Sequence, residues 1–275
     1  MTLRDALLRG KRRPRAFGSG APTIYRGDGY EFVELRAYVP GDDVRRIDWA
    51  ATARAGEMQT RVVLEDVSLT LAAMLDDSPS MRVGRRRPVL AAAREALCAW
   101  YDAATNDDRC VRIAADVVAP ARLERGAHGK HVALLDPPAA FDLRASLRTA
   151  RAVLPRGSAL LAIGDWHDLD DRDDAVLHEL GTRYDCTALV VRDPWHDGLP
   201  LRGFVRVRGA EGGSLRAFIG RRERECYARA VHARHEQLAQ RFSRANWRVG
   251  ELEEADGARS LAHTFGLPTM EHARR

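Results

Sequence analysis

The chain has 275 residues and a mass of 30.6 kDa, with 45% hydrophobic and 30% charged residues. That is enough length and apolar content to bury a core without covalent staples, and it excludes wholesale disorder. The net charge is +5. Two of the 44 basic residues are lysines (Lys11 and Lys130), and the arginines are interleaved with 39 acids, so the balance reflects composition and not a nucleic-acid track.

The first 28 residues read as a short amphipathic helix followed by a Gly-, Pro- and Arg-rich loop that includes Arg12–Arg15. Residues 30–38 alternate with period two, which predicts a strand. Pro40-Gly41-Asp42-Asp43 is a turn signal, and 58–64 reads as a second strand. From Ser68 the pattern becomes α/β. Residues 69–75 form a short continuous apolar run, as a strand buried on both faces does. A helix is expected over 88–105, with Pro88 in its first turn and Val89, Ala92, Ala93, Ala96 and Trp100 inward. Arg85–Arg87, just before it, read as a solvated loop. A strand over 110–115 follows. Next come a helix over 142–154 with Leu143, Leu147 and Val153 inward, a strand over 159–163, a helix over 173–184 and a strand over 186–191. Residues 203–219 form a hairpin. A long helix over 221–245 carries an apolar stripe of Tyr227, Val231, Leu238 and Phe242.

Strands alternating with helices imply a mainly parallel central sheet with helices on both faces, an α/β fold. The expected organisation is an N-terminal arm with a small β-containing subdomain over 1–67, then the α/β domain over 68–270. No apolar run approaches the roughly 18 residues a membrane-spanning helix needs. The start carries no secretory signal, and none of the four cysteines forms a CxxC pair, so a cytoplasmic setting is expected.

The chemistry concentrates at Asp76-Asp77-Ser78-Pro79-Ser80, directly after the first α/β strand. In an open parallel sheet the loops at carboxyl ends of strands line the ligand crevice. Asp76 supplies a carboxylate, and Ser78 and Ser80 supply hydroxyls at alternating positions. Asp165 ends another predicted strand at the same sheet edge. Such hard oxygen donors suit Mg²⁺ or Mn²⁺ and not zinc. Taken alone, Asp-x-Ser-x-Ser is more often a turn or helix cap; the strand before it, the helix after it and the second strand ending in Asp165 favour a metal site.

The stretch 34–54, ELRAYVPGDDVRRIDWAATAR, resembles the signature of the domain-of-unknown-function 58 (DUF58) family. The resemblance runs from about residue 28 to 265. It implies a von Willebrand factor A-like domain with a metal-ion-dependent adhesion site (MIDAS). Asp76, Ser78 and Ser80 match its first motif, Asp165 its later aspartate, and Asp193-Pro194 a motif near the fourth core strand. The resemblance also implies a MoxR-type AAA+ ATPase partner in complex assembly or maturation. The chain departs from the pattern at four places: Asp77 is an added acid, Ala140-Phe141-Asp142 holds no threonine, Gly164 replaces a common serine or threonine, and Trp195-His196-Asp197 stands where a glutamate is usual. Asp142 and Asp77 are therefore further candidate ligands.

Arg36, Arg45, Arg46 and Arg54 alternate with Asp42, Asp43 and Asp48 in the signature. Guanidinium–carboxylate pairing would lock the small subdomain onto the α/β domain. The alternative is a docking face for the ATPase. Trp49 is expected in the core.

No nucleophile elbow, Walker loop or dinucleotide-binding glycine motif is present. The pairs His128/His131 and His232/His235 lack further zinc ligands. The expectation is a noncatalytic protein-interaction module. The enzymatic alternative is a Mg²⁺-dependent phosphoester hydrolase using Asp76, Asp165 and His167. No specific nucleic acid is expected as a partner.

Overall fold

The computed structural model describes residues 2–8, 31–64, 69–105, 108–126, 129–133, 140–210 and 212–268. The basic run 12–15, His128 and the side chain of His131 lie outside the described residues. The chain divides into two units, Arg4–Leu69 and Thr70 onward, the latter joined by the first three residues.

The smaller unit contains α1 (Leu3–Leu8), whose first residue falls in the larger one, and an antiparallel pair, β1 (Glu31–Ala37) and β2 (Gln59–Leu64). Between the strands run a 3-10 turn, Val44–Arg46, and α2 (Trp49–Ala55). The acids of the signature organise this connection. Asp42 accepts from the Val39 amide at 3.0 Å and from the Arg36 guanidinium at 2.7 Å. Asp43 caps the 3-10 turn through the Arg45 amide, and Asp48 caps α2 through the Ala51 amide at 2.9 Å. Asp48 also pairs with Arg61, which lies outside the signature, at 2.8 Å. Gly56 ends α2 at φ 75°, a left-handed cap that glycine adopts without strain. The ion pairs named here run within this unit. Trp49 is 68% exposed, contrary to expectation. It occupies the first position of α2, and the face of that helix that is buried is the one carrying Ala51.

The larger unit is built on a six-stranded sheet. Its first strand is β3 (Thr70–Leu75), followed by α3 (Val89–Asp102), β4 (Arg109–Ala114) and β5 (Val117–Pro120). A hairpin of β6 (Arg122–Gly126) and β7 (Gly129–Ala133) leads to α4 (Leu143–Val153) and β8 (Ala159–Gly164). Next come α5 (Asp174–Arg183), β9 (Asp185–Val191) and a second hairpin, β10 (Gly203–Arg208) with β11 (Ser214–Ile219). The chain continues through α6 (Arg221–Arg244), β12 (Arg248–Leu252) and α7 (Gly257–Thr264).

The strand order is β12-β9-β8-β3-β4-β5, parallel except for the β4–β5 edge pair. The chain first builds outward from β3 to β4 and β5, then returns to the other side of β3 with β8. The order reverses between β3 and β8, and the crevice at such a reversal is where open α/β sheets place ligands.

Both sheet faces are covered. Ala72 and Met74 of β3, Leu160 and Ala162 of β8, and Ala188 and Val190 of β9 join Leu147, Leu177, Leu180 and Phe242 from α4, α5 and α6 in one core. Residues of opposite parity, such as Leu71, Ala73 and Leu161, turn toward the face covered by α3 and α7. Burial on both faces is why β3 and β8 read as unbroken apolar runs. Each fully buried leucine contributes about 1.5–3 kcal/mol relative to exposure. The helices α3 and α7 approach closely at Gly257, where a Cβ would sit 1.7 Å from the Ala92 carbonyl oxygen.

The structure corrects several expectations. Val153 is 46% exposed, and Leu154 and Ala150 take the inward positions at the end of α4. Pro88 is the N-cap of α3 and precedes its first turn. Tyr227 and Val231 are only half-buried, so the inward stripe of α6 reduces to Leu238 and Phe242. The loop Arg85–Arg87 is not merely solvated: all three backbone amides donate to the Glu254 carboxylate, and the Arg87 guanidinium pairs with Glu95. Among the described residues no helix is long and apolar enough to cross a membrane.

Candidate functional site

β3 and β8 are neighbours, and the amide of Asp76 extends their ladder by donating to the Ile163 carbonyl at 2.9 Å. This fixes the backbone of Asp76 beside Gly164. Asp76 is 6% exposed, and its Oδ1 accepts from the Ser78 amide at 2.9 Å. Ser78 is the N-cap of a 3-10 turn, Pro79–Arg82, yet its side chain makes no capping bond. The hydroxyl instead lies 2.8 Å from Ser80 Oγ. Ser80 Oγ donates to Asp165 Oδ2 at 2.5 Å, across 85 residues of sequence. Asp76, Ser78, Ser80 and Asp165 are thus brought together at the β3–β8 reversal.

The neighbourhood on β8 is shaped to admit this cluster. A Cβ at position 164 would lie 3.1 Å from Asp76 Cβ and 3.3 Å from its Oδ2. That is tighter than an ordinary contact, so Gly164 gives Asp76 room that the usual serine or threonine would take. Asp165 Oδ1 accepts from the His167 amide at 3.0 Å. Trp166, between them, has φ 59°, a conformation costly for a bulky residue. It is held there by its ring, edge-on to Phe242 at 5.0 Å, and by its carbonyl, which accepts from the Arg234 guanidinium at 2.6 Å. The helix α6 therefore holds the turn that presents Asp165.

The two further candidates behave differently. Asp77 Oδ1 accepts from the Phe141 amide at 3.3 Å and ties the 76–80 loop to the segment before α4. Asp142 caps α4, accepting from the Ala145 amide at 2.7 Å, and lines the same cavity as Asp76 and Asp165. That cavity has a volume of about 340 Å³ and is also lined by Ser78, Arg148 and His167. His167 is exposed, with Nε2 3.9 Å from Asp165 Oδ2. Of the signature arginines, Arg36 pairs with Asp42, and Arg54 donates to the Ala50 carbonyl of its own helix. His232 bonds the Ala228 carbonyl and His235 pairs with Glu251, so these two do not converge on one point.

Electrostatically the cluster is under load. Burial raises the Asp76 carboxyl above the usual carboxylate range, and the nearby charges of Asp165 and Asp77 raise it further. Bonds from the Ser78 hydroxyl and amide act in the opposite direction. A cation between the two carboxylates would relieve this repulsion. Among the described residues no group of three or more His, Cys, Asp or Glu side chains could hold a metal ion. The gathered donors are instead two carboxylates and two hydroxyls. That set is unsuited to zinc and compatible with a hard, partly hydrated divalent ion.

Sequence reasoning missed the supports of the site. Trp166 gave no signal of a left-handed backbone. The Glu254 contact was hidden because the strand and helix over 248–264 went unrecognised. Val249 and Leu252, followed by Asp256 as the N-cap of α7, are the signals that reveal them.

The model of a protein family of unknown function, DUF58, matches residues 34–237. Uncharacterized proteins of Mycobacterium bovis and Mycobacterium tuberculosis are 30% identical over 229 residues, covering 78% of this chain and 71% of theirs. Two solved structures are similar at a TM-score of 0.34 and 14% identity. They are the conserved hypothetical protein BatB of Bacteroides thetaiotaomicron, matched over 65% of this chain and 98% of its own, and an aerotolerance-related membrane protein of Bacteroides fragilis, matched over 64% and 100%. The family match spans most of the chain, including the signature and both halves of the Asp76–Asp165 cluster, and the chain belongs to the DUF58 family.

Proposed function

We propose that this protein is a noncatalytic, cytoplasmic interaction module of von Willebrand factor A-like type that holds a divalent cation at the β3–β8 reversal and serves a MoxR-type AAA+ ATPase as an adaptor in complex assembly. The observation carrying this reading is the bond from Ser80 Oγ to Asp165 Oδ2, which joins two strand ends beside the buried Asp76. Asp76, Ser78, Ser80 and Asp165 would hold Mg²⁺ or Mn²⁺. The two carboxylates offset the ion's formal charge, and four donors leave about two of its six positions open, which water or the oxygen of an acidic side chain from a partner can fill. Asp142 and Asp77 stand nearby as further carboxylates for the ion, directly or through water, each with one oxygen engaged by a backbone amide.

The test is a Mg²⁺ and Mn²⁺ titration of the melting temperature, paired with capture of the ATPase in the presence of Mg²⁺ or a chelator. The wild type gains melting temperature with either ion, and Asp76→Ala does not. Capture requires Mg²⁺ and fails with Asp76→Ala. Equal capture by both proteins, with and without Mg²⁺, would overturn the reading.

The position of His167 favours a second reading, a Mg²⁺-dependent phosphoester hydrolase using Asp76, Asp165 and His167 as the base. It is the weaker one because such sites hold their metal mostly with carboxylates. Turnover of a phosphoester by the purified protein, abolished in both Asp76→Ala and His167→Ala, would establish it.

A further inference from the structure

The hairpin β10–β11 is a two-stranded ribbon that neither the sheet nor the cation cluster explains. Its register sets Phe204 opposite Phe218, Arg206 opposite Arg216 and Arg208 opposite Ser214. Paired residues point to the same side, and alternate residues along a strand share a face. One face therefore carries Phe204, Phe218, Arg206, Arg208, Arg216 and Ser214, all of them exposed. The base of the other face, Gly203, Val205, Ala217 and Ile219, is partly covered.

Two features make the outward face unfavourable in water alone. Phe204 is 91% exposed and Phe218 55%, with their rings edge-to-face at 5.1 Å. A contiguous exposed apolar patch rimmed by polar residues is the mark of an interaction surface. Arg206 and Arg216 are directly opposed like charges, an arrangement that weakens a strand pair. A ligand that brings negative charge and apolar surface together relieves both at once.

We infer that the outward face of this hairpin docks an acidic protein segment bearing an apolar anchor: the Phe204–Phe218 pair takes the anchor, and Arg206, Arg208 and Arg216 take carboxylates. Guanidinium groups pair with carboxylates through two parallel bonds, which suits three arginines on one face of the ribbon. On this face the charge is three arginines, two on β10 and one on β11, and at the base of the ribbon Glu223 lies against Gly220 beside the Phe218 ring. A single-stranded nucleic acid needs a longer continuous basic track of roughly four or more nucleotides. Three guanidinium groups beside one aromatic pair fit a discrete acidic motif. The docking face is independent of the cation cluster.

The test uses the full chain in chelator, so that the cation site plays no part. The probe is a labelled ten-residue peptide alternating glutamate and leucine. Companion probes are an all-glutamate peptide, a lysine–leucine peptide and an oligo-dT strand of the same length. The glutamate–leucine peptide binds, and raising the salt weakens it. Phe204→Ser lowers its affinity about tenfold, and the double reversal Arg206→Glu, Arg216→Glu lowers it about a hundredfold. The all-glutamate peptide binds at least fivefold more weakly than the glutamate–leucine peptide. These side chains are exposed, so circular dichroism and melting temperature stay as in the wild type. Failure of the glutamate–leucine peptide to bind, equal binding by the folded variants, equal binding of the lysine–leucine peptide, or tighter binding of oligo-dT would each overturn the inference. Concentration-dependent dimerisation abolished by Phe204→Ser would do so too, because it assigns the face to a second copy of the chain.

Discussion

The signature at 34–54 and the loop at 76–80 are both short, polar and rich in aspartate, and each has an aspartate that accepts from the amide two residues on, yet they differ in how far their other polar side chains reach. In the signature each aspartate is used up locally: Asp42 holds a turn and Arg36, Asp43 starts a 3-10 turn, and Asp48 caps α2 and pairs with Arg61. In the loop the hydroxyl of Ser78 sits at an N-cap and declines to cap. It reaches Ser80, which reaches Asp165 just past the end of another strand. The first segment identifies the family and organises its own unit, while the second is commonplace in sequence and converges on one point in space. The specificity of a motif therefore reports ancestry. The polar atoms a backbone leaves unspent report where chemistry can occur.

Ser80→Ala breaks this contrast on the loop side and carries the largest effect expected here. It removes the hydroxyl that links Ser78 to Asp165 and leaves Asp165 without that donor. Mg²⁺ affinity, read from the ion-dependent rise in melting temperature, should fall about 10- to 100-fold, as when a metal site loses an orienting partner. The fold should persist, since the 3-10 turn keeps its backbone bonds. Unchanged affinity would reduce the cluster to a structural cap like those in the signature.

Asp48→Ala breaks it on the signature side. The variant loses the cap of α2 and the pair with Arg61, so the first turn of α2 frays while the rest of the chain keeps its stability. Hydrogen exchange should accelerate at the Ala51 and Thr52 amides and not at those of β8. Mg²⁺ affinity should not change. A drop in Mg²⁺ affinity would show that the signature does more than hold its own unit.

The α/β sheet was legible because strands buried on both faces leave unbroken apolar runs at 69–75, 159–163 and 186–191, with helical periodicity between them. The candidate site was legible because its residues stand where such strands end. Two elements escaped reading because they are short or mixed in pattern. Strand β12 pairs with a single neighbour, β9, at the sheet edge and shows a mixed pattern, and α7 is eight residues long. Trp49 misled because a large aromatic residue suggests a core anchor with its indole N–H satisfied, whereas helix phase decides which side it faces. Val153 failed for the same reason: one residue later, Leu154 completes the inward stripe. Trp166 could not be read at all, since its backbone conformation is imposed by α6 from 68 residues away.

A smaller effect sharpens the account of Gly164. In Gly164→Ala the new methyl group meets Asp76 at 3.1 to 3.3 Å, and the neighbour must give by a few tenths of an ångström. The expected cost is about 1 kcal/mol of stability by denaturant titration, with a severalfold loss of Mg²⁺ affinity. Stability loss without any change in affinity would mean that the carboxylate of Asp76 is free to move aside.

The smallest effect expected is a dependence on acid that differs in sign between the two regions. The Ala51 amide, and after it the Arg61 guanidinium, hold the Asp48 carboxyl below the ordinary carboxylate value, and the Val39 amide and Arg36 do the same for Asp42. A carboxyl whose folded pKa lies below its unfolded value is protonated first in the unfolded chain. Its contribution is complete above about pH 4 and is lost as the pH falls through the folded value. Asp76 is displaced the other way by burial, so without a bound cation acidification there favours the folded form. Protection of the Ala51 and Thr52 amides, corrected for intrinsic exchange, should therefore hold steady from pH 7 to 5 and decline below about pH 4. In Asp48→Asn the cap survives without the charge, and that decline should flatten. An unaltered decline in Asp48→Asn would show that acid acts on this unit through Asp42 alone and that the Asp48–Arg61 pair is electrostatically silent, as many exposed pairs are.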